Sequence, residues 1–503
     1  MNPTDGTVRR FKARFCARGD MQIEGVDYYE TSSPVVSYTT LRIVLALACM
    51  YGWMILSMDI STAFLNADID EDVFMTPGKG FGHKPGHVWK LLKGLYGTCQ
   101  AGRAWWIHFD NWIKSDPECR PCTVDPCVYV YTCTNNQLLF VILMLYVDDI
   151  ISVSNCDKYH HEVQAIFSKE YKVTGGDEFT HGLGLQCTRD LEKGTLELHQ
   201  TRYLMDILDR FDPDSTTTAP TPEVDGVIIC SSDCPAQGSA EQIHMKDKPY
   251  RAALGCLHFA TKTRPDIQHP VAKCSSVASN PGVKHWKAIM RIFHYLRGSI
   301  KKRLTYRKHR KMIMMSNSSV KKAVKEAKAA EKLITLVDAD HARCPTTRKS
   351  QSGWLHMIAG AAGAWGSKSQ TVTALSSTEA EYIALASACA ELMAIRNLLT
   401  QLPVPKEVFD TWMVLEDNQA CIKMATNPRG WKRTKHIDVR HHFVRDLVSA
   451  GIIDLKGVPT VDQSADMLTK PTTGKSFYKH RDFMLGLDVV ADTGTSFSDQ
   501  EIN

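Results

Sequence analysis

The chain has 503 residues, 44% hydrophobic and 23% charged, with a formal net charge of +5, so two to four ordinary globular domains are expected and a polycation is excluded. Any nucleic-acid binding must therefore rest on local basic patches. Sixteen Cys without a secretory start point to reduced thiols in a cytosolic or nuclear setting, and the longest apolar run, Leu138 to Val147, is too short to cross a bilayer.

Residues 1 to 38 begin with Arg9, Arg10, Lys12, Arg14 and Arg18, which read as a solvated basic face or a phosphate contact. From Thr39 the pattern turns helical: Leu41 to Met50 is apolar at helical spacing and Gly52 stops it. Trp53 to Asp59 reads as a strand ending on a lone carboxylate. Gln100 to Trp112 is expected to be helical. Cys127 to Tyr131 reads as a strand, Asn135-Asn136 as a turn and Leu138 onward as the partner strand. Tyr146-Val147-Asp148-Asp149 then precedes a second apolar run, Ile150-Ile151-Ser152-Val153, so two carboxylates stand in the tight connection between core strands. A helix over Lys158 to Lys169, short strands at 182–185 and 196–198, and a helix over Tyr203 to Phe211 follow. Pro213 to Pro249, rich in Pro, Ser, Thr and Asp, reads as a loop or linker. Tyr250 to Thr261 and His285 to Arg297 read as helices, with a break at Thr263-Arg264-Pro265-Asp266. Lys301 to Lys332 is dense in Lys and reads as a solvated helix or linker, with nucleic-acid contact as the rival.

The last folded unit starts near Leu333. Strands are expected over Ile334 to Val337, Gly353 to Ile358, Ala361 to Ser367, Trp412 to Leu415 and Ile452 to Val458. Helices are expected from the Ser376-Ser377-Thr378 cap to Leu399, over Asn418 to Ala425, over Val439 to Ser449 and from Ser464 to Thr469. Residues after Lys475 look like a tail.

Two groups of carboxylates thus stand at strand ends: Asp59, Asp148 and Asp149, and then Asp338, Glu381, Asp417 and Asp466. Neighbouring carboxylates repel and are costly to desolvate, and a divalent cation with oxygen ligands is the natural compensator. Such sets fit two-metal sites, with ions about 4 Å apart that stabilise the attacking and leaving oxygens of a phosphoryl displacement. The competing reading of each acid alone is an ordinary surface residue.

The motifs that carry a family resemblance run in order: Phe11 to Arg14 with Ala17-Arg18-Gly19; Tyr28 to Val36; Met58 to Asn66 (MDISTAFLN); Leu95-Tyr96-Gly97 with Gln100-Ala101; Leu145 to Asp149 (LYVDD); Thr263 to Asp266; Asp338-Ala339-Asp340; Leu375 to Tyr382 (LSSTEAEY); Asp417-Asn418-Gln419; Arg433 to Val439; and Ala465-Asp466 with Leu468-Thr469-Lys470. The chain resembles the reverse transcriptase and RNase H portion of the polyprotein of copia-type LTR retrotransposons, over nearly its whole length.

That resemblance implies an α+β chain: reverse-transcriptase fingers and palm over 1–212, linker and thumb or connection over 213–300, a Lys-rich linker over 301–332, an RNase H-like mixed-sheet domain over 333–475, and a tail over 476–503. Asp59, Asp148 and Asp149 match the polymerase metal-binding carboxylates. Phe64 matches the position that closes the pocket under the sugar 2′ carbon, Gln100 a glutamine beside the incoming nucleotide, and Lys12 and Arg14 the basic fingers segment near the triphosphate. Tyr146 joins this substrate-binding set. Asp338, Glu381, Asp417 and Asp466 match the RNase H metal ligands. Glu379 rivals Glu381, which is preferred because Ala384 and Ala388 follow it at helical spacing. The implied function is RNA-directed DNA synthesis with cleavage of the hybrid's RNA strand. The implied cofactor is Mg2+, two ions per site, with Mn2+ as the alternative. The implied partners are an RNA template, a DNA primer, RNA–DNA hybrid and deoxynucleotide triphosphates, with no membrane. A cytoplasmic location is expected, with virus-like particles or the nucleus as further settings.

Departures from the family pattern are the lack of nucleocapsid, protease and integrase segments ahead of this region, a start inside the fingers segment, Gly102 where Pro is frequent, and the long Lys-rich insert. They motivate a rival reading, a truncated relic that binds nucleic acid without turnover. Among weaker signals, Cys119 and Cys122 with Cys230 and Cys234 have zinc-like spacing but read as unligated thiols. His436, His441 and His442 read as surface or packing residues, and Trp105, Trp106 and Trp112 as core.

Overall fold

The computed structural model describes residues 13–78, 80–81, 86–308, 333–427 and 438–488. Lys12, His436, the side chain of His441 and most of the Lys-rich stretch lie outside the described residues.

In chain order the elements are α1 (Tyr38–Tyr51), β1 (Met54–Ile60), β2 (Phe74–Met75), β3 (Trp89–Lys90), α2 (Ala101–Lys114), β4 (Cys119–Pro121), β5 (Val128–Thr132), β6 (Phe140–Tyr146), β7 (Asp149–Ser154), α3 (Asp157–Glu170) and β8 (Val173–Glu178). Next come β9 (His181–Gly182), β10 (Leu185–Asp190), β11 (Thr195–His199), α4 (Thr201–Phe211), α5 (Ala240–Lys246), α6 (Tyr250–Ala260), α7 (Gln268–Ser275), α8 (Val283–Gly298) and β12 (Leu304–Arg307). The last group is β13 (Ile334–Asp340), β14 (Gln351–Ile358), β15 (Ala361–Ser369), α9 (Ser377–Leu399), β16 (Trp412–Glu416), α10 (Gln419–Thr426), α11 (Asp438–Ser449), β17 (Ile453–Gly457) and α12 (Gly474–Met484). The architecture is α+β, and the chain divides into two compact units: residues 1–37 with 54–179, and residues 38–53 with 180–503.

The first unit is built on an antiparallel sheet in the order β4-β5-β6-β7-β1-β8. β6 and β7 are apolar without alternation because they are central strands, and α3 packs on both. On α2, Trp105, Phe109 and Ile113 recur at helical spacing and are buried, each worth about 1.5–3 kcal/mol in apolar burial. Strand β8, VTGGDE, was not expected. Gly175 and Gly176, both at positive φ, interrupt the alternation, and the register with β1 shifts there at a bulge.

In the second unit α1 is buried almost all round, and its one buried cation, Arg42, donates to the carbonyls of Gly363 and Lys262 at 2.9 and 3.0 Å. A four-stranded sheet orders β12-β11-β10-β9. Strand β12 lies inside the stretch expected to be a Lys-rich linker, and α5 inside the stretch expected to be a loop. The Thr263 to Asp266 motif is explained by a buried bidentate pair. Arg264 Nε and a terminal nitrogen reach Asp266 at 2.9 and 2.7 Å, and Tyr295 donates to the same carboxylate. Pairing and hydrogen bonds are what make such a buried pair tolerable.

The final sheet orders β15-β14-β13-β16-β17. The first three strands are antiparallel, and β16 is parallel to both β13 and β17. This is the mixed sheet expected of an RNase H-like domain. Helix α9 packs on β13 and β14. It is long and apolar enough to span a membrane by length and composition, yet it is largely buried and serves as the core helix. The expected tail after 475 is instead helical as far as Met484, because Phe477, Phe483 and Met484 fill a buried face.

Candidate active sites

In the first unit, Asp59 on β1 and Asp149 on β7 are directly opposed in antiparallel register. Opposed residues share a face with Cβ atoms about 4.5–5.5 Å apart, where like charges destabilise. Thr174 Oγ1 donates to Asp59 Oδ1 at 3.2 Å, and the Ile60 amide donates to the Asp148 carbonyl at 2.8 Å. Asp148 and Asp149 are half-buried.

Tyr146 pairs with Asp149, so Val147 and Asp148 form a two-residue hairpin turn. Val147 takes φ 59°, the left-handed region that Gly usually fills in such turns. Trp105 on α2 donates from Nε1 to the Val147 carbonyl at 2.6 Å. Trp105 is indeed core, at 1% exposure, but it also braces the turn.

Phe64 is half-buried and stacks at a tilt on Tyr96, with centroids 4.7 Å apart. The Arg14 guanidinium lies 5.8 Å from the Tyr96 ring centroid. Burial, and next the Asp148 carboxylate, push the Tyr96 phenol up, which places Tyr96 within electrostatic reach of the acidic set. Tyr96 was noted only as part of a motif, and its proximity to this site was missed.

Gln100 is 3% exposed; its Nε2 donates to the Asp27 carbonyl at 2.9 Å and its Oε1 accepts from Gln22 at 3.1 Å, so the amide ties the start of α2 to the 22–27 segment. Trp112 packs on Phe167 and Tyr171. None of the four cysteines with zinc-like spacing is in a disulfide.

In the second unit, Asp338 on β13, Glu381 on α9 and Asp417 after β16 each offer a carboxylate oxygen, and these atoms lie within 4.8 Å of one another. The capping of α9 separates the two glutamates. Ser376 Oγ accepts from the Glu379 amide at 3.2 Å, and Glu379 Oε2 accepts from the Leu375 amide at 2.8 Å. Glu379 is therefore engaged at the start of the helix, whereas Glu381, two residues on, offers its carboxylate to the cluster.

Asp466 arrives on a 3-10 turn over Ser464–Leu468. That turn approaches β14 closely because position 353 is Gly: a Cβ there would lie 2.7 Å from Thr469 and 2.8 Å from Leu468. Thr469 donates to Asp338, and Lys470 bridges to Asp466 at 3.0 Å and to Asp338 at 3.9 Å. Thr460 Oγ1 donates to Asp417 at 2.8 Å. Burial, and next the Glu416 carboxylate, push Glu381 up to about 11; burial and Asp338 push Asp466 up to about 7. Glu416 was missed by sequence reasoning. It is fully buried, and its Oε1 accepts from the Asn418 amide at 3.0 Å. Among the described residues, Glu416 Oε2 and Glu381 Oε2 find no hydrogen-bond partner. Orphaned buried carboxylate oxygens in a cluster of hard donors fit a divalent cation of the magnesium type.

The profile of the family described as reverse transcriptase (RNA-dependent DNA polymerase) matches residues 2–225. The Pol polyprotein from transposon TNT 1-94 of Nicotiana tabacum is 33% identical over 94% of this chain and 34% of its own length. That from transposon RE1 of Arabidopsis thaliana is 31% identical over 94% of this chain and 30% of its own length. The chain thus spans about a third of the length of these curated relatives. Among solved structures, the foamy viral protease-reverse transcriptase in complex with double-stranded DNA is 12% identical, covers 82% of this chain and 59% of its own, and has a TM-score of 0.42. Residues 2–225 thus match the reverse transcriptase family, and nearly the whole chain is similar to part of the Pol polyproteins of these plant transposons.

Proposed function

We propose that the chain copies RNA into DNA at the site of the first unit and cleaves the RNA strand of the resulting hybrid at the site of the second. The observation that supports this best is convergence. Asp338, Glu381 and Asp417, far apart in sequence, bring carboxylate oxygens within 4.8 Å, while Asp59 and Asp149 oppose each other across neighbouring strands.

In the polymerase reading, Asp59, Asp148 and Asp149 would hold Mg2+ ions, and in the nuclease reading Asp338, Glu381, Asp417 and Asp466 would do so. When bound, the ions supply charge stabilisation to phosphoryl oxygens and activate the attacking hydroxyl or water. The chain's own residues do the rest. Thr174 and the backbone register fix Asp59 against Asp149. Trp105 holds the turn that carries Asp148. Arg14 offers positive charge beside Tyr96 for a triphosphate, and Phe64 offers bulk beneath the sugar. Thr469, Lys470 and Thr460 hold the nuclease carboxylates in position. Nucleic-acid contacts are expected to be mostly to the backbone and therefore salt-sensitive.

The test is primer extension on an RNA template with Mg2+, beside release of RNA from a hybrid. Asp149→Asn should stop extension and spare cleavage, whereas Asp417→Asn should do the reverse. Binding without extension by the parent chain would overturn the polymerase reading.

A further inference from the structure

A cavity of about 210 Å³ lies in the second unit among the 223–231 loop, α7 and the loop that follows β13. It is distinct from the carboxylate cluster, none of whose members lines it. Three cationic side chains, Lys273, Arg343 and Lys349, contribute to its wall, with serine and threonine hydroxyls beside them. Glu223 is the one carboxylate among its lining residues, and its Oε2 is paired with His269 Nδ1 at 2.8 Å. The negative charge in the wall is thus partnered within the wall.

With Glu223 held by His269, which is itself 2% exposed, the wall carries a surplus of positive charge that calls for an anionic ligand. The cations also keep donors in hand. Lys273 Nζ makes one hydrogen bond, to Gln351 Oε1 at 2.9 Å, out of three it can give, and Arg343 spends one terminal nitrogen on Asp340 at 3.2 Å. The volume is below the range for drug-sized ligands, which selects a small group over a whole nucleoside. Cations with hydroxyls at hand are the chemistry that recognises phosphoryl oxygens.

We propose that this cavity is an oxyanion site that takes one phosphoryl group. The group is either free phosphate or pyrophosphate, or a single phosphodiester of a bound strand. The oxygens of either form accept from Lys273, Arg343 and Lys349.

The test uses the full chain, a chelator to remove divalent ions, and inorganic phosphate as the probe, followed by 31P line broadening. The parent should bind phosphate saturably. Lys349→Gln, at the half-buried rim, should weaken binding at least tenfold with an unchanged unfolding midpoint. Lys273→Met should do the same, and if it fails to fold, Lys349→Gln decides alone. Adding an RNA–DNA hybrid separates the sources: displacement of phosphate assigns the site to a backbone phosphodiester, and retention assigns it to free phosphate or pyrophosphate. Absence of saturable binding by the parent, or unchanged affinity in Lys349→Gln, would overturn the proposal. No turnover is read, so the outcome is separate from the fate of the polymerase and nuclease reading.

Discussion

Trp105 Nε1 holds the carbonyl of Val147 at 2.6 Å, and Val147 is the residue at positive φ immediately before Asp148. A β-branched residue in the left-handed region carries a cost of roughly 1–2 kcal/mol, and persists where its surroundings over-determine it. Here helix α2 supplies the constraint, because the indole is locked by ring contacts with Phe109 and Tyr171.

Trp105→Phe should keep that packing and delete only the donor. A net hydrogen bond is worth about 1 kcal/mol, so the maximal rate of primer extension should fall about fivefold. Affinity for template and primer should stay within about twofold, and hybrid cleavage should not change. An unaltered extension rate in a stably folded variant would reduce Trp105 to core filler.

How much of this was legible in the sequence varies with the physics of each element. Strands β6 and β7 and helix α9 were legible because a long apolar run or a clean cap leaves few alternatives. Strand β8 was hidden by Gly175 and Gly176, whose pairing with β1 depends on a bulge. The bonds from Gln100 to Asp27 and Gln22 join segments more than 70 residues apart, which no local pattern shows. Glu416 was hidden by its neighbour: in WMVLE followed by Asp417, the strand pattern carried the reading and the second acid went unremarked. The role of Trp105 is a contact across 42 residues of sequence, beyond any local pattern.

The two glutamates of α9 should separate cleanly. Glu381→Gln should reduce hybrid cleavage by at least about 100-fold, since it removes a carboxylate proposed to hold the metal, and a loss of that size corresponds to about 2.7 kcal/mol in the barrier. Glu379→Gln keeps an acceptor at the capping position, so cleavage should stay within about twofold and stability should drop by less than about 1 kcal/mol. Cleavage assays and thermal unfolding on both variants check this. The reverse pattern would exchange their roles.

The carboxylate cluster of the second unit also makes a prediction for the metal-free protein. Burial, and next the Asp338 charge, raise the Asp466 carboxyl from 3.8 to about 7. The folded state then binds this proton more tightly than the unfolded chain does, so the stability it contributes is fully present below pH about 3.8 and is lost as pH rises through about 7. In chelator, the unfolding midpoint should therefore fall across that window, and Asp466→Asn should flatten the fall. Mg2+ should restore stability most at the upper end, where the carboxylates are charged. An identical pH slope in Asp466→Asn would clear this group of responsibility.

The proposed polymerase reading carries a prediction about sugar selection at Phe64. This residue follows Asp59 by one short turn, and Thr62 at positive φ, 57°, folds the chain so that the ring at 64 meets Tyr96. Tyr96 in turn feels the charge of Asp148 and of Asp59 and carries the Arg14 guanidinium over its ring. The Phe64 ring is thus held beside the carboxylates by a second aromatic ring, half-buried and not enclosed in the core. Phe has no hydroxyl, so any rejection of a ribose 2′-oxygen must be steric. Phe64→Val removes the bulk and should raise ribonucleotide incorporation, with a smaller loss for deoxynucleotides. The discrimination ratio should change by more than about tenfold, which is about 1.4 kcal/mol in the barrier. Tyr96→Leu leaves the Phe64 ring in place but removes the surface that aligns it, so its effect should have the same sign and be smaller. The ratio of incorporation efficiencies for the two sugars, measured for parent and both variants, decides the point. If Phe64→Val stays active and keeps the parent ratio, Phe64 is only packing and sugar selection must be sought in another residue.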